Sequence, residues 1–272
     1  MRARKRFAQH FLEPAWERKV VDLIAPREDE FFLEIGPGRG ALTAALAAMA
    51  GRVVAVEIDR DLVAHLREQV SGRVDIIEAD VLDVALAQLL PPPDTHPTIR
   101  VVGNLPYNIT SPILFRLIAL WRQTRRLTDA TLMVQLEVAD RILAVPGGRD
   151  YGPLAVGVRL WADAVRLLVL PQGAFRPAPR VRSALVQLRF REPPVTLDDE
   201  DTFDRMVRAI FMRRRKMLAN ALEPFAHAGG RVARLVLEEA GIDPSRRPET
   251  LDLVELAAIA RALGSAHGDA VL

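Results

Sequence analysis

The residues best equipped for chemistry stand together at Asn104-Leu105-Pro106-Tyr107, directly after the apolar run Val101-Val102-Gly103. The β-branched run reads as a buried parallel strand. Pro106, which fixes φ and lacks a donor, ends it. Residues 104–107 then fall at the carboxyl end of a strand, where open α/β sheets bind their ligands. An aromatic amine is a poor nucleophile because its lone pair is delocalised into the ring. Here the Asn104 side-chain oxygen and the Leu105 carbonyl could each accept one N–H and draw the nitrogen toward tetrahedral geometry. Tyr107 could stack on the ring face. Asn, Pro and Gly are also ordinary turn residues, so the stretch alone equally admits a plain strand-ending turn.

A second constellation lies upstream. Phe31-Phe32-Leu33-Glu34-Ile35 reads as a strand running into Gly36-Pro37-Gly38-Arg39-Gly40. Glu57 closes the next strand about 20 residues after the first glycine, the separation of a ribose-binding carboxylate in Rossmann-like folds. The glycines let a nucleoside cofactor approach the backbone. A nicotinamide or flavin enzyme would use the same geometry, but the third glycine comes one position too early for the G-x-G-x-x-G fingerprint. Asp80 ends a further strand, where its carboxylate could accept from the amine of an adenine or cap the following turn.

The elements that must position these groups alternate. A helix is expected from Pro14 to Ala25, with Pro14 in its first turn. Strands are expected at 31–35, 52–56, 74–79, 101–104, 131–134, 165–170 and 183–190, with helices at 41–50, 61–69, 111–121 and 137–144. Ser111 and Pro112 read as N-cap and first-turn residues. The loop Pro171 to Pro179, stiffened by three prolines, presents Phe175, which suits either a wall opposite Tyr107 or a core plug. Pro193-Pro194 and the acidic run 198–201 mark a composition shift. The expected division is a Rossmann-like α/β domain over 1–194 and a helical domain over 195–272. Its helices are expected at 203–221, 232–240 and 251–263, and the last nine residues are expected to fray.

With 272 residues, half of them hydrophobic, the chain can bury a full core. It contains no cysteine, which excludes disulfides and thiolate chemistry, and its five histidines lack ligand spacing, so no metal is expected. No apolar run is long enough to span a bilayer, and the basic N-terminus has no apolar stretch behind it, so a cytoplasmic protein is expected. Net charge is only +2. The cations nevertheless cluster at Arg2 to Arg6, Arg122 to Arg126, Arg176 to Arg191 and Arg213-Arg214-Arg215-Lys216, as phosphate-binding faces do and as solvated helix faces also can. The opening Arg4-Lys5-Arg6-Phe7-Ala8-Gln9-His10-Phe11-Leu12 interleaves basic and aromatic residues and is expected to fold back onto the body.

Taken in order, these motifs resemble the ribosomal RNA adenine dimethyltransferases. They are Arg4 to Leu12, Glu34 to Gly38, Val56 to Asp59, Gly103 to Ile109, Ala174 to Pro177, Val181 to Ala184 and Arg214 to Lys216. The resemblance is closest to the bacterial small-subunit branch and covers roughly 4–220. It implies transfer of methyls from S-adenosylmethionine to the exocyclic amines of two adjacent adenosines in a hairpin loop near the 3′ end of 16S rRNA. It implies cofactor contacts from His10, Leu12, Gly36, Glu57, Asp80 and Asn104. The transfer site would comprise Asn104, Leu105, Tyr107 and Phe175, the two aromatics clamping the base. The C-terminal helices and basic clusters would hold RNA within an immature small subunit, with no membrane and the chain as a monomer. The family usually has Asn at position 10, Gly at 8 and often Lys at 136, where this chain has His10, Ala8 and Leu136. Two rival readings share the fold: an enzyme on large-subunit rRNA, whose members more often have Ile after the motif Asn, and a non-catalytic RNA-binding factor.

Overall fold

The computed structural model describes residues 10–70 and 72–264. The N-terminal basic arm and the end of the C-terminal tail, on which two of the expectations fall, lie outside them. The chain divides into two compact units. One runs to Ala139 and resumes over Asp163–Phe190; the other comprises Asp140–Ala162 and the chain from Arg191 onward. The expected division at 194 lies close to the second break, but it left out Asp140–Ala162, which belongs with the helical unit.

The first unit is built on a seven-stranded sheet. After the short β1 (Phe11–Leu12) and α1 (Pro14–Ile24) come β2 (Phe31–Ile35), α2 (Ala41–Met49), β3 (Arg52–Glu57), α3 (Arg60–Gln69) and β4 (Val74–Glu78). The chain then crosses to β5 (Ile99–Asn104), α4 (Thr110–Thr124), β6 (Leu127–Gln135) and α5 (Leu136–Leu143). The sheet closes with β7 (Ala162–Leu170) and β9 (Ser183–Phe190), and β8 (Phe175–Arg176) lies between them in sequence. Strand order is β4-β3-β2-β5-β6-β9-β7. The first five run parallel, and β9 is antiparallel to β6. The chain winds outward from β2 through β3 to β4, then restarts on the other side at β5. The carboxyl ends of β2 and β5 therefore flank the point where the winding reverses, which is where such sheets leave a crevice.

Local sequence explains the central strands. All five residues of β2 are buried, as expected for a parallel strand covered on both faces. Gly103 makes the close pairing of β2 and β5 possible, because a Cβ there would lie 2.6 Å from the Ile35 carbonyl oxygen. At the opposite edge Arg100 ties strand starts to α1. It is 2.9 Å from both Glu30 and Asp129, and it donates to the Ile24 carbonyl at 2.8 Å. Beneath the sheet, Val20, Ile24, Phe32, Leu46, Val102 and Met133 form the main core.

The second unit contains α6 (Pro153–Trp161), α7 (Glu200–Met212), α8 (Leu218–Ala228), α9 (Ala233–Glu239) and α10 (Leu253–Gly264). The sequence reading gave no element at 153–161. Gly157 and two valines speak against a helix locally, yet Ala155, Val156, Val158, Leu160 and Trp161 are buried and α6 packs on α7 and α10. The expected single helix 203–221 is broken at 213–217. Helix α8 begins afresh there because the Arg246 and Pro244 carbonyls accept from the Leu218 and Ala219 amides at its open end. Ser111 proves to be inside α4, whose N-cap is Ile109.

Candidate active site

A cavity of about 610 Å³ opens at the carboxyl edge where the winding reverses, within the range of sites for nucleoside-sized ligands. The glycine loop, the ends of β3 and β4, and residues 104–109 line it, with His10 to Glu13 along one side. His10, Leu12, Gly36, Glu57, Asp80, Asn104, Leu105 and Tyr107 are thus brought together from segments almost a hundred residues apart.

Each wall has an identifiable cause. Gly38 has φ +61°, and a Cβ there would meet the Phe11 ring at 3.3 Å. Only a glycine lets the loop turn that tightly under Phe11. The Gly38 amide donates to one Glu57 carboxylate oxygen at 3.1 Å, and the Asp59 amide to the other at 2.9 Å. These bonds fix the carboxylate and leave further lone pairs for two ribose hydroxyls. Burial pushes the Glu57 carboxyl above the ordinary range, opposed by those amides. Asp80 caps its turn, one oxygen accepting from the Leu82 amide at 2.8 Å, while lining the cavity as well. Its two sequence-level readings are therefore compatible.

The Asn104 amide nitrogen donates to the His10 carbonyl at 2.8 Å. A carbonyl can only accept, so this contact dictates which way the amide faces and turns Oδ1 away from His10. Among the described residues neither Asn104 Oδ1 nor the Leu105 carbonyl is engaged in a hydrogen bond. The Tyr107 hydroxyl meets Ser183 Oγ at 3.0 Å, and its ring stacks on His10 with centroids 5.6 Å apart and planes at 23°. Burial raises the Tyr107 pKa, so its hydroxyl stays protonated at neutral pH. His10 Nδ1 lies 2.8 Å from the Pro177 carbonyl and must carry the hydrogen. The imidazole is thus committed to Pro177 and Tyr107, while its main chain contacts Asn104.

Phe175 corrects the sequence reading. It is fully buried in the main core and does not line the cavity, so it is no wall opposite Tyr107. The cause is strand alternation: β8 pairs antiparallel with β1, so adjacent side chains take opposite faces. Arg176 receives the cavity side, where it pairs with Glu13 at 3.2 Å. The sequence reading also passed over Glu34. It is a lone carboxylate in the apolar run 31–35, which was the available signal. Glu34 is buried, lines the cavity, and among the described residues its Oε2 has no hydrogen-bond partner. Burial raises its pKa to about 7; the nearby Thr43 hydroxyl opposes this, although it falls outside hydrogen-bond geometry, and the Glu57 charge adds to it.

The basic clusters differ in what their side chains touch. Arg125 lies over the Trp121 ring at 4.1 Å, and Arg214 donates to the Arg149 carbonyl at 2.8 Å. Arg213, Arg215 and Lys216 are exposed in the turn between α7 and α8. Among the described residues no cluster of three His, Asp or Glu could hold a metal, and no helix is long and apolar enough to cross a membrane.

A Rossmann-like sheet with this glycine loop, acidic strand ends and an Asn-Leu-Pro-Tyr corner defines an S-adenosylmethionine-dependent methyltransferase. The Glu57 carboxylate, held by two backbone amides with lone pairs to spare, and the Asp80 carboxylate beside it in the cavity wall fit a nucleoside cofactor with ribose hydroxyls and an adenine amine to donate. The chain matches the family model for ribosomal RNA adenine dimethylase over residues 1–258, and it belongs to that family. It is 42% identical to the ribosomal RNA small subunit methyltransferase A of Geobacter sulfurreducens, covering 98% of both chains. It is 39% identical to the protein of that name from Xylella fastidiosa, covering 96% of each. Among solved structures, a dimethyladenosine transferase from Plasmodium falciparum shares the fold, with TM-score 0.78 at 24% identity, covering 95% of this chain and 98% of that one. The 23S rRNA methyltransferase ErmE superposes with TM-score 0.65 at 26% identity, covering 93% and 99%.

Proposed function

We propose that the chain dimethylates the exocyclic amines of two adjacent adenosines in the 3′-terminal hairpin loop of 16S rRNA, acting as a monomer on an immature small subunit in the cytoplasm. The observation that carries the reaction type is the pair of open acceptors, Asn104 Oδ1 and the Leu105 carbonyl, beside an aromatic face at the cavity edge. The higher identity to small-subunit enzymes than to the 23S rRNA enzyme supports the choice of RNA.

When bound, S-adenosylmethionine supplies an electrophilic methyl for in-line displacement. Gly36, Glu57 and Asp80 would hold it, the carboxylates accepting from ribose hydroxyls and the adenine amine. Tyr107 stacks on the target base. In the first transfer Asn104 Oδ1 and the Leu105 carbonyl accept the two N–H groups, and in the second one of them accepts the single N–H that remains; each time they localise the nitrogen lone pair and stabilise the positive charge that develops on it. Alignment supplies most of the rate. The quaternised amine is acidic enough to lose its proton to water. Hairpin adenines unstack more easily than duplex ones, which lowers the cost of entry.

The test is to incubate the protein and labelled cofactor with immature small subunits lacking the modification, then map the product. Dimethyladenosine at two adjacent loop positions is expected. Methylation confined to large-subunit RNA, or to another base, would overturn the reading.

A further inference from the structure

Tyr107 is held at two points, by the His10 ring stacked on it and by the Ser183 hydroxyl. Ser183 opens β9, in register with Gln135 of β6, and is only 1% exposed. Its Oγ lies 3.0 Å from the Tyr107 hydroxyl, its one hydrogen-bond partner among the described residues. The first six residues of β9 are buried, so this oxygen is a fixed point of the sheet. Tyr107 instead sits in the loop after β5, where its side-chain torsions have no strand to hold them. A buried hydroxyl keeps to its partner because leaving it unpaired is costly. The tether and the His10 stack therefore select one ring orientation at the cavity edge. Ser183 itself is absent from the cavity lining.

We propose that Ser183 is a positioning residue for methyl transfer: its hydroxyl fixes the Tyr107 ring in the plane on which the target adenine stacks. The inference rests on the reading of Tyr107 as the base wall. In-line displacement tolerates little misplacement, about 1 Å costing on the order of a hundredfold. Loss of the tether therefore appears in the transfer rate and leaves cofactor affinity unchanged. Spacing in sequence gives no hint of the pair, since the two residues are 76 positions apart.

The test has two arms. The chain has only two tyrosines, so ring-labelled Tyr gives two separable sets of NMR signals. In Ser183→Ala the Tyr107 signals move while those of the buried Tyr151 stay in place; unmoved Tyr107 signals would overturn the proposal. In single-turnover methylation of small subunits, Ser183→Ala and Tyr107→Phe each slow transfer by about fivefold to fiftyfold, a partial misplacement. The double variant is no slower than the slower single, Ser183→Thr recovers most of the loss, and calorimetry gives an unchanged cofactor Kd. Multiplying effects, or cofactor affinity falling in step with rate, would equally overturn it. A parent inactive on every RNA would refute the proposed function instead, and the ring signals would still decide whether Ser183 holds Tyr107.

Discussion

Replacing Glu34 by Gln should make the protein more stable at pH 8 than the parent and remove a specific part of its pH dependence. Glu34 is buried, its Oε2 has no partner among the described residues, and its pKa is raised from 4.5 to about 7. For a carboxyl with a raised folded pKa, the native state binds the extra proton. Stability from this group is therefore fully present below the unfolded value and lost as pH rises through the folded one. The gap between 4.5 and about 7 caps the effect at roughly 3 kcal/mol. Between pH 5 and 8, linkage gives a loss of roughly 2 to 3 kcal/mol, since part of the change has already occurred at pH 5. Other carboxyls titrate over the same range, so the quantity to measure is the difference between parent and Glu34→Gln. Denaturant unfolding of both, without cofactor, at half-unit steps from pH 5 to 8.5 supplies it. The difference should grow by roughly 2 to 3 kcal/mol in favour of the variant, steepest between pH 5 and 7. Parallel curves with a constant offset would refute the argument, because they would mean that Glu34 is ionised at pH 5 in both states.

Asn104→Ala should keep cofactor Kd within about tenfold by calorimetry and lower single-turnover methylation at least about a hundredfold, the scale for one preorganised polar contact; a rate near the parent's would remove Asn104 from the transfer step. Changing Arg213, Arg215 and Lys216 together to Ala should reduce the log-salt slope of RNA binding by about 2, at roughly 0.7 to 0.9 per lost phosphate contact. An unchanged slope would assign the turn to solvent alone. Gly103→Ala should destabilise the first unit by about 1–3 kcal/mol or more in denaturant unfolding, because the new Cβ meets the Ile35 carbonyl within the sheet; a change under about 0.5 kcal/mol would mean that the strands part freely.

The chemistry-bearing types were legible because they depend on strand ends, and strand ends are written locally. An apolar run closed by glycine, acid or Asn-Leu-Pro-Tyr places those groups at the carboxyl edge of a parallel sheet with no knowledge of the rest of the fold. Glycine spacing and the distance to Glu57 are likewise properties of one βαβ unit. Whatever depended on a partner distant in sequence was decided by the tertiary structure. Phe175 and Arg176 are both compatible with a cavity wall, and pairing of β8 with β1 determines which one faces it. Arg and Lys favour helix, so nothing local breaks the chain at 213–217; carbonyls of Pro244 and Arg246 do so by starting α8 anew. Helix α6 reads poorly as a helix by itself and forms because α7 and α10 bury its face. The orientation of the Asn104 amide was beyond the sequence for the same reason. The sequence supplies an amide at the strand end, and the His10 carbonyl, 94 residues away, decides which atom is left for the substrate.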